Sequence, residues 1–448
     1  LNQVVNYQMY LKSNEQKKLL NVHIHPDIYD YGVMDFNRKD SILSKGIEES
    51  KKYNDLFKEI AAKQYSKKIL KKLSPTSKLK TISKITVTGT NLYSKAYVLG
   101  KLQIKVGEKL SKKEITDRIH RLSATNNYER IQYDFKKLNS DNYELNFKLI
   151  ESKENAYIKA GIHYDFLYKS AALVNFTKKG LVLNNDLFSL DIIVGDHLRY
   201  NFNYLIDNGF NLSYSLRSKY NHFTANSKFD PIVSSFPSVS KISLNYTELT
   251  NQAFVQTTFN RKFALGIGFE HKKLKIKTPT ITVNNKEFVF DNSHYFSVFG
   301  YLKLDTFDHK TFPTKGYFAD INFNWFISAN QIVNNFTPFS QTKGSIGFAK
   351  PISSKITFLM NNEAGFTFKQ PNNDVFDFSL GNYNKNYSNN FISFYGYDFA
   401  ELSDLSFLKT EATIRYQFKE KQYASFTANY VKLDNDVLKD INIFKNIK

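Results

Sequence analysis

The chain has 448 residues, 62 basic against 42 acidic side chains for a net charge of +20, and no cysteine. No run approaches the roughly 18 apolar residues a membrane-spanning helix needs, so a helical span is excluded; a membrane β-barrel is not, because alternating strands keep the mean hydropathy low (−0.44 here). The surplus of lysine comes without a compact basic stripe interleaved with aromatics, which argues against a nucleic-acid partner and for lysines near an anionic lipid surface.

The length exceeds that of one ordinary domain, and a thiol-free chain suits an oxidising compartment such as a periplasm. Aromatic content is high, with 40 Phe and 29 Tyr, as aromatic girdles at two membrane interfaces would require. The chain opens at Leu1 without a basic-then-apolar leader, so the expectation is a processed chain or a piece of a longer one.

Residues 1–65 read as helical after a strand-like start, Val22-His-Ile-His-Pro26. Asn37 is placed to cap a helix carrying Ile42, Leu43 and Ile47, and then Leu56, Phe57 and Ile60, at helical spacing. His23 and His25 share a strand face, but no Asp, Glu or third His follows at ligand spacing, so no metal is expected. The block is too small and open to be a whole domain. Residues 66–81, rich in Lys and Ser, read as a linker.

Residues 82–152 predict a compact α/β unit in the order β-α-α-β-β. Ile82–Thr88 alternates as a strand and stops at Gly89, with Ile85 and Val87 expected in the core. Ser94–Ile104 is a short helix, and Ser111 with Glu114 forms a capping box before Ile115, Ile119 and Leu122. Tyr128–Leu138 and Tyr143–Glu151 complete the sheet, joined through residues 139–142. A charge placed in this core, as in Val87→Asp, should unfold the unit.

From residue 153 to 448 the chain is strand after strand. About thirteen are expected, starting near Ala156, Ser170, Leu187, Leu198, Phe210, Ile242, Phe263, Phe296, Tyr317, Phe339, Ile356, Phe407 and Tyr423. The hairpin Tyr295–Ser328 shows the pattern well. Tyr317, Ala319, Ile321, Phe323 and Trp325 oppose Asp320, Asn322 and Asn324, and Phe312-Pro-Thr-Lys-Gly316 supplies the turn. In the strand near Phe407, Leu408, Ala412, Ile414 and Tyr416 oppose Lys409, Glu411 and Arg415. Three charges on one face are costly in a dry sandwich and comfortable on a wet lumen wall. Short turns alternate with longer connections, among them 221–241, 277–294, 329–337 and 370–406, as in a barrel with tight periplasmic turns and long outer loops.

The β-α-α-β-β unit, with Ile85-Thr-Val-Thr-Gly89 and Gly107 before Leu110-Ser111, resembles a POTRA domain. One such domain directly before a barrel resembles the POTRA-bearing outer-membrane insertases and translocases, which include BamA, TamA and two-partner secretion transporters. Phe312, Pro313, Gly316 and Tyr317 are similar to that family's barrel turn motif, and Phe394-Tyr395-Gly396-Tyr397 sits where it has Val-Arg-Gly-Phe/Tyr. The resemblance implies a loop folded back into the lumen. Tyr395 stands at the Arg position, so the family's charge pairing does not carry over, and aromatic stacking with hydrogen bonds is expected instead, with Gly396 letting the aromatics pack closely. The family closes with sixteen strands, so a barrel holding about thirteen is expected to be incomplete, with 434–448 as an outer loop.

Residues 21–27, 31–36 and the following helix resemble the closing segment of bacterial patatin-like phospholipases. Patatin, POTRA and barrel in that order is the type V-d arrangement, which implies catalytic residues upstream of Leu1. Gly344-Ser-Ile-Gly347 lacks the nucleophile-elbow pattern, and the chain carries no catalytic set. The expected fold is thus mainly β: an antiparallel outer-membrane β-barrel behind one POTRA domain and the helical tail of a patatin-like α/β domain. Three functions remain open: a lipase fused to its own barrel, a non-enzymatic insertase or translocase, and a passive porin. The expected partners are outer-membrane lipid and lipopolysaccharide, a protein passenger at the POTRA sheet edge and assembly-complex subunits, with no cofactor. The expected location is the outer membrane of a Gram-negative bacterium, the POTRA and N-terminal part in the periplasm.

Overall fold

A computed structural model describes residues 13, 15–32, 38–63, 79–139, 142–209, 211–227, 241–259, 262–330, 336–369, 374–383 and 390–433. The chain divides into two units, Leu1–Thr76 and Ser77–Lys448.

The first unit contains α1 (Lys39–Lys51) and α2 (Asn54–Ala62), so the single predicted helix is broken at Lys52–Tyr53. Neither helix buries a residue, and Leu43, Ile47, Leu56 and Phe57 are all exposed. Residues 22–28 form no strand, for want of a neighbouring ladder. The expected cap Asn37 lies outside the described residues, as do most of the expected linker and of the 31–36 motif.

In the second unit, β1 (Lys80–Thr88), β2 (Lys109–Leu110), β3 (Tyr128–Lys137) and β4 (Asn142–Glu151) form one sheet in the order β2-β1-β4-β3, covered by α3 (Lys95–Leu102) and α4 (Lys112–Ser123). The two-residue β2 is too short to show as periodicity. Ser94 caps α3 by accepting from the Tyr97 amide at 3.1 Å. The capping box of α4 is formed, and the backbone N–H and hydroxyl of Ser111 hold the Glu114 carboxyl below its usual range. Ile82, Leu102, Ile115, Leu122, Leu145 and Phe147 are fully buried, each contributing about 1.5–3 kcal/mol. Ile85 lies in this core, and Val87 packs against it while half-buried. Gly89 has φ +83°, and a Cβ there would lie 2.0 Å from the Leu149 carbonyl oxygen, so glycine is required.

Among the described residues thirteen antiparallel strands follow in one meandering sheet: β5 (Ala156–Asp165), β6 (Lys169–Lys179), β7 (Asp186–Gly195), β8 (Arg199–Ile206), β9 (Ser213–Ser227), β10 (Ile242–Phe259), β11 (Phe263–Val283), β12 (Lys286–Asp305), β13 (Gly316–Asn330), β14 (Phe339–Pro351), β15 (Ile356–Phe368), β19 (Ser406–Lys419) and β20 (Gln422–Leu433). Each pairs with its neighbours in sequence, except that a long excursion separates β15 from β19. The outward face is apolar: Leu265, Ile267 and Phe269 on β11, Phe323 and Trp325 on β13, and Ile414, Tyr416 and Phe418 on β19 are exposed. That is the pattern of a wall meeting lipid.

One expected loop is largely strand, and a second begins as strand. The 277–294 connection is an extended hairpin in which β11 and β12 run to a two-residue turn, Asn284-Asn285, with φ of 53° and 59°. Asn tolerates the left-handed region that such a turn demands. The 221–241 connection likewise begins as β9, which continues to Ser227. The expected start at Phe210 and the expected outer loop at 434–448 lie outside the described residues.

The α/β domain is fastened to one rim of the sheet. Lys101 pairs with Asp207 at 2.7 Å. Asn185 accepts from the Ser94 amide at 2.8 Å. Lys179 donates to Asn127 Oδ1 at 2.7 Å. The turns involved, after β6 and after β8, thereby mark the domain-facing rim, and the β11–β12 hairpin rises from the other.

Candidate functional site

The sheet curls round a cavity of about 1000 Å³ lined from β10 to β20. Its wall is charged because alternate residues of each strand must face inward. Lys409 is almost wholly buried and lies 3.2 Å from Glu363 and 3.6 Å from Glu411. Opposite, Lys272 lies between Glu248 and Glu270 at 3.8 and 3.7 Å. Glu411 and Arg415 line the cavity, and Lys409 lies buried beside Glu411. Buried charges of this kind persist only when paired.

The excursion between β15 and β19 enters this interior. It carries a three-stranded sheet, β16 (Phe378–Leu380), β17 (Phe391–Ile392) and β18 (Leu402–Asp404), in the order β17-β16-β18. Phe376 meets Tyr295 edge-on at 4.8 Å, and Phe391 meets Tyr246 edge-on at 5.3 Å. Phe399 meets Phe223 edge-on at 5.5 Å. Polar ties reinforce them: Gln341 donates to the Phe376 carbonyl at 2.8 Å, Ser227 donates to the Ala400 carbonyl at 3.2 Å, and Lys241 pairs with Asp398 at 3.0 Å. Burial and the neighbouring Asp374 and Asp404 push the Asp377 carboxyl up to about 7.

Within the excursion, Phe394 is buried against Phe378, Ile392 and Phe407 and stacks on Tyr397 at 5.5 Å. Tyr395 lines the cavity, its ring 5.5 Å from Tyr383 and its amide donating to Asn429 Oδ1 at 3.1 Å. Gly396 differs from expectation in its reason. Among the described residues no atom lies within 4 Å of where its Cβ would be, yet its φ is +97°. The motif needs glycine for a backbone conformation, not for close packing.

At the domain-facing end, the 306–315 turn reaches across the interior. Phe312 stacks on Tyr423 at 4.4 Å, and Arg415 donates to the Pro313 carbonyl at 3.1 Å. Asp308 braces the turn. Partial burial alone would push its carboxyl up, but the Thr314 hydroxyl and the amides of Thr314 and Lys315 hold it well below the usual range. A Cβ on Gly316 would meet the Thr306 carbonyl at 2.4 Å, whereas the Tyr317 side chain points outward and exposed. Sequence reasoning missed Phe376, Phe391, Phe399 and Asp308, because loop aromatics and a turn carboxylate have no periodicity to mark them. The β11–β12 extension did carry a signal, the alternation of Leu274 and Ile276 with Lys273 and Lys275.

A POTRA-type α/β domain docked on a curled sheet, apolar outside and charged within, with a long loop folded into the interior, defines a POTRA-bearing transmembrane β-barrel. The chain belongs to the OMP85 superfamily, whose profile matches residues 143–448. A second profile, POTRA, described as a surface antigen variable number repeat, matches residues 80–152. Among solved structures it is similar to BamA from Haemophilus ducreyi lacking POTRA domains 1–3, with 13% identity and a TM-score of 0.55 over 82% of this chain and 76% of that one. CdiB from Acinetobacter baumannii aligns with 11% identity and a TM-score of 0.49 over 80% of this chain and 64% of that one. No significant match was found among curated proteins. The superfamily places the barrel in a Gram-negative outer membrane, consistent with protein translocation or assembly.

Proposed function

We propose that this chain handles extended protein substrate at the outer membrane, receiving it on the POTRA domain in the periplasm and passing it to a barrel whose lumen is plugged at rest. The observation that carries the reading is the free edge of β3, which pairs only with β4 among the described residues and belongs to a domain fastened to the barrel rim. An unpaired strand edge offers a row of backbone donors and acceptors to an incoming strand. Assembly-complex subunits would use the same edge. A photo-crosslinker at Gln132, exposed on β3, should capture unfolded passenger but not the folded form. Capture at Gln132 no greater than at exposed Lys355 would sink the reading.

A second reading adds a phospholipase. The exposed apolar residues Leu43, Ile47, Leu56 and Phe57 on α1 and α2, with the patatin-like residues 21–27, support a segment that packs on a larger α/β domain. An active-site serine probe should then label the polypeptide isolated from its native membrane. Absence of labelling under conditions that label a control lipase would remove this reading. A passive porin is disfavoured by a lumen closed with buried aromatics. The outer wall is proposed to meet both phospholipid and lipopolysaccharide.

A further inference from the structure

The outward wall of β8–β12 carries a row of polar side chains where lipid is expected. Tyr200 OH lies 2.9 Å from Ser218 Oγ. Ser218 donates to Asn251 Oδ1 at 2.7 Å. Asn251 Nδ2 lies 3.2 Å from His271 Nδ1, and His271 Nε2 lies 2.9 Å from His294 Nδ1. These five residues come from five consecutive strands, and the strand registers put them on the face that also carries Leu216 and Phe269, opposite the cavity-lining Gln252 and Glu270.

The row has a direction. With the Asn251 oxygen accepting from Ser218, its amide N–H donates to His271 Nδ1, which leaves the His271 proton on Nε2. That proton is donated to His294 Nδ1, so His294 carries its own proton on Nε2. Among the described residues nothing accepts it. A donor left unmatched beside hydrocarbon is costly, so its natural complement is an acceptor outside the protein.

The surroundings say which kind. Below the row lies a groove of about 410 Å³ walled by Phe202, Leu216, Ala253, Phe269 and Phe296, suited to an acyl chain. Above it, exposed Lys273 is the cross-strand partner of His294, and exposed Lys275 follows two residues on. Outward positions 214–226, 245–257, 263–275 and 294–304 carry no carboxylate. Glu287, near the hairpin tip, is already held by Lys277 at 2.5 Å. Cations over an apolar groove, on the rim away from the POTRA domain, match the outer leaflet's polar boundary.

We propose that this wall is a binding site for a phosphorylated glycolipid of the outer leaflet, its phosphate accepting from His294 Nε2 and Lys273 Nζ and one acyl chain lying in the Phe202–Phe269 groove. The site deepens the lipid contact stated above and rests on the outer-membrane placement of the barrel.

Native mass spectrometry of the protein extracted from its membrane tests it, after incubation with bis-phosphorylated lipid A, the same lipid without phosphates, or phosphatidylglycerol. Wild type is expected to retain the phosphorylated glycolipid about tenfold more than the dephosphorylated form, as charge-assisted hydrogen bonds allow. The exposed pair Lys273→Gln/Lys275→Gln, and separately His294→Gln, should erase that preference while keeping a heat-modifiable folded band. Lys355→Gln, in the short turn between β14 and β15, should keep it. Unchanged preference in both variants, or equal retention of phosphatidylglycerol, overturns the site while leaving the barrel intact. A wild-type band without heat-modifiability overturns the barrel placement and the site together.

Discussion

The POTRA domain and the barrel are built from the same alternating strands, yet one is the other turned inside out. In the POTRA domain, Ile82, Leu145 and Phe147 turn inward against α3 and α4, and the charges of β3 turn out. In the barrel, Ile414 and Tyr416 turn outward, while Lys409, Glu411 and Arg415 turn in. The difference teaches that a period of two says only that a strand has two unlike faces; the solvent on each side decides which is the core. It also changes what a buried glycine or charge is worth.

That contrast can be broken at matched positions. Gly89→Val should have the largest effect, because it combines φ +83° with a Cβ 2.0 Å from a backbone oxygen of β4. It is expected to destabilise the POTRA domain by about 4 kcal/mol or more, seen as loss of protease resistance in residues 79–151 while the barrel stays heat-modifiable. A protease-resistant domain would refute the assignment. Lys409→Leu comes next. It removes the ammonium that Glu363 and Glu411 share, which should cost about 3 kcal/mol, measured as a lower temperature of the folded-to-unfolded gel shift.

Gly396→Ala should be milder than Gly89→Val despite a similar φ, at about 1–2 kcal/mol, because backbone strain is at stake and no atom of the described residues is near. Equal effects at the two glycines would mean the motif packs more tightly than described. Arg415→Ala removes a hydrogen bond to Pro313 and the cation over Phe312, about 1 kcal/mol in all; its readout is increased proteolysis within 306–315.

A further effect is one of pH. The Asp377 carboxyl is held up near 7 in the folded loop, above its ordinary 3.8. The folded state therefore keeps this proton when the unfolded loop has lost it. Loop seating is strongest below the unfolded value and weakens as pH rises from about 4 through 7. Protease access to residues 374–405 should increase over that window in wild type and stay flat in Asp377→Asn.

Much of this architecture is local and therefore legible in residues. The capping box at Ser111 and Glu114, the stop at Gly89, the two unlike faces of β13 and β19 and the number of barrel strands among the described residues all follow from spacing alone. So does the shared face of Lys409, Glu411 and Arg415. What spacing could not supply is anything decided by residues far apart in the chain. The alternation through Leu274 and Ile276 hinted that β11 continues, but it could not say how far β11 and β12 would run to their Asn284-Asn285 turn, because a strand's length depends on whether its partner continues too. Nor could it say that Phe376, Phe391 and Phe399 would seat on Tyr295, Tyr246 and Phe223, or that Arg415 would reach Pro313. It read Gly396 as a packing glycine when the tertiary structure uses it for a turn. The row from Tyr200 to His294 is the clearest case. Each of its members is an ordinary polar residue on its own strand, and only the registers of five strands align them into one directed chain ending in a donor that no described residue accepts.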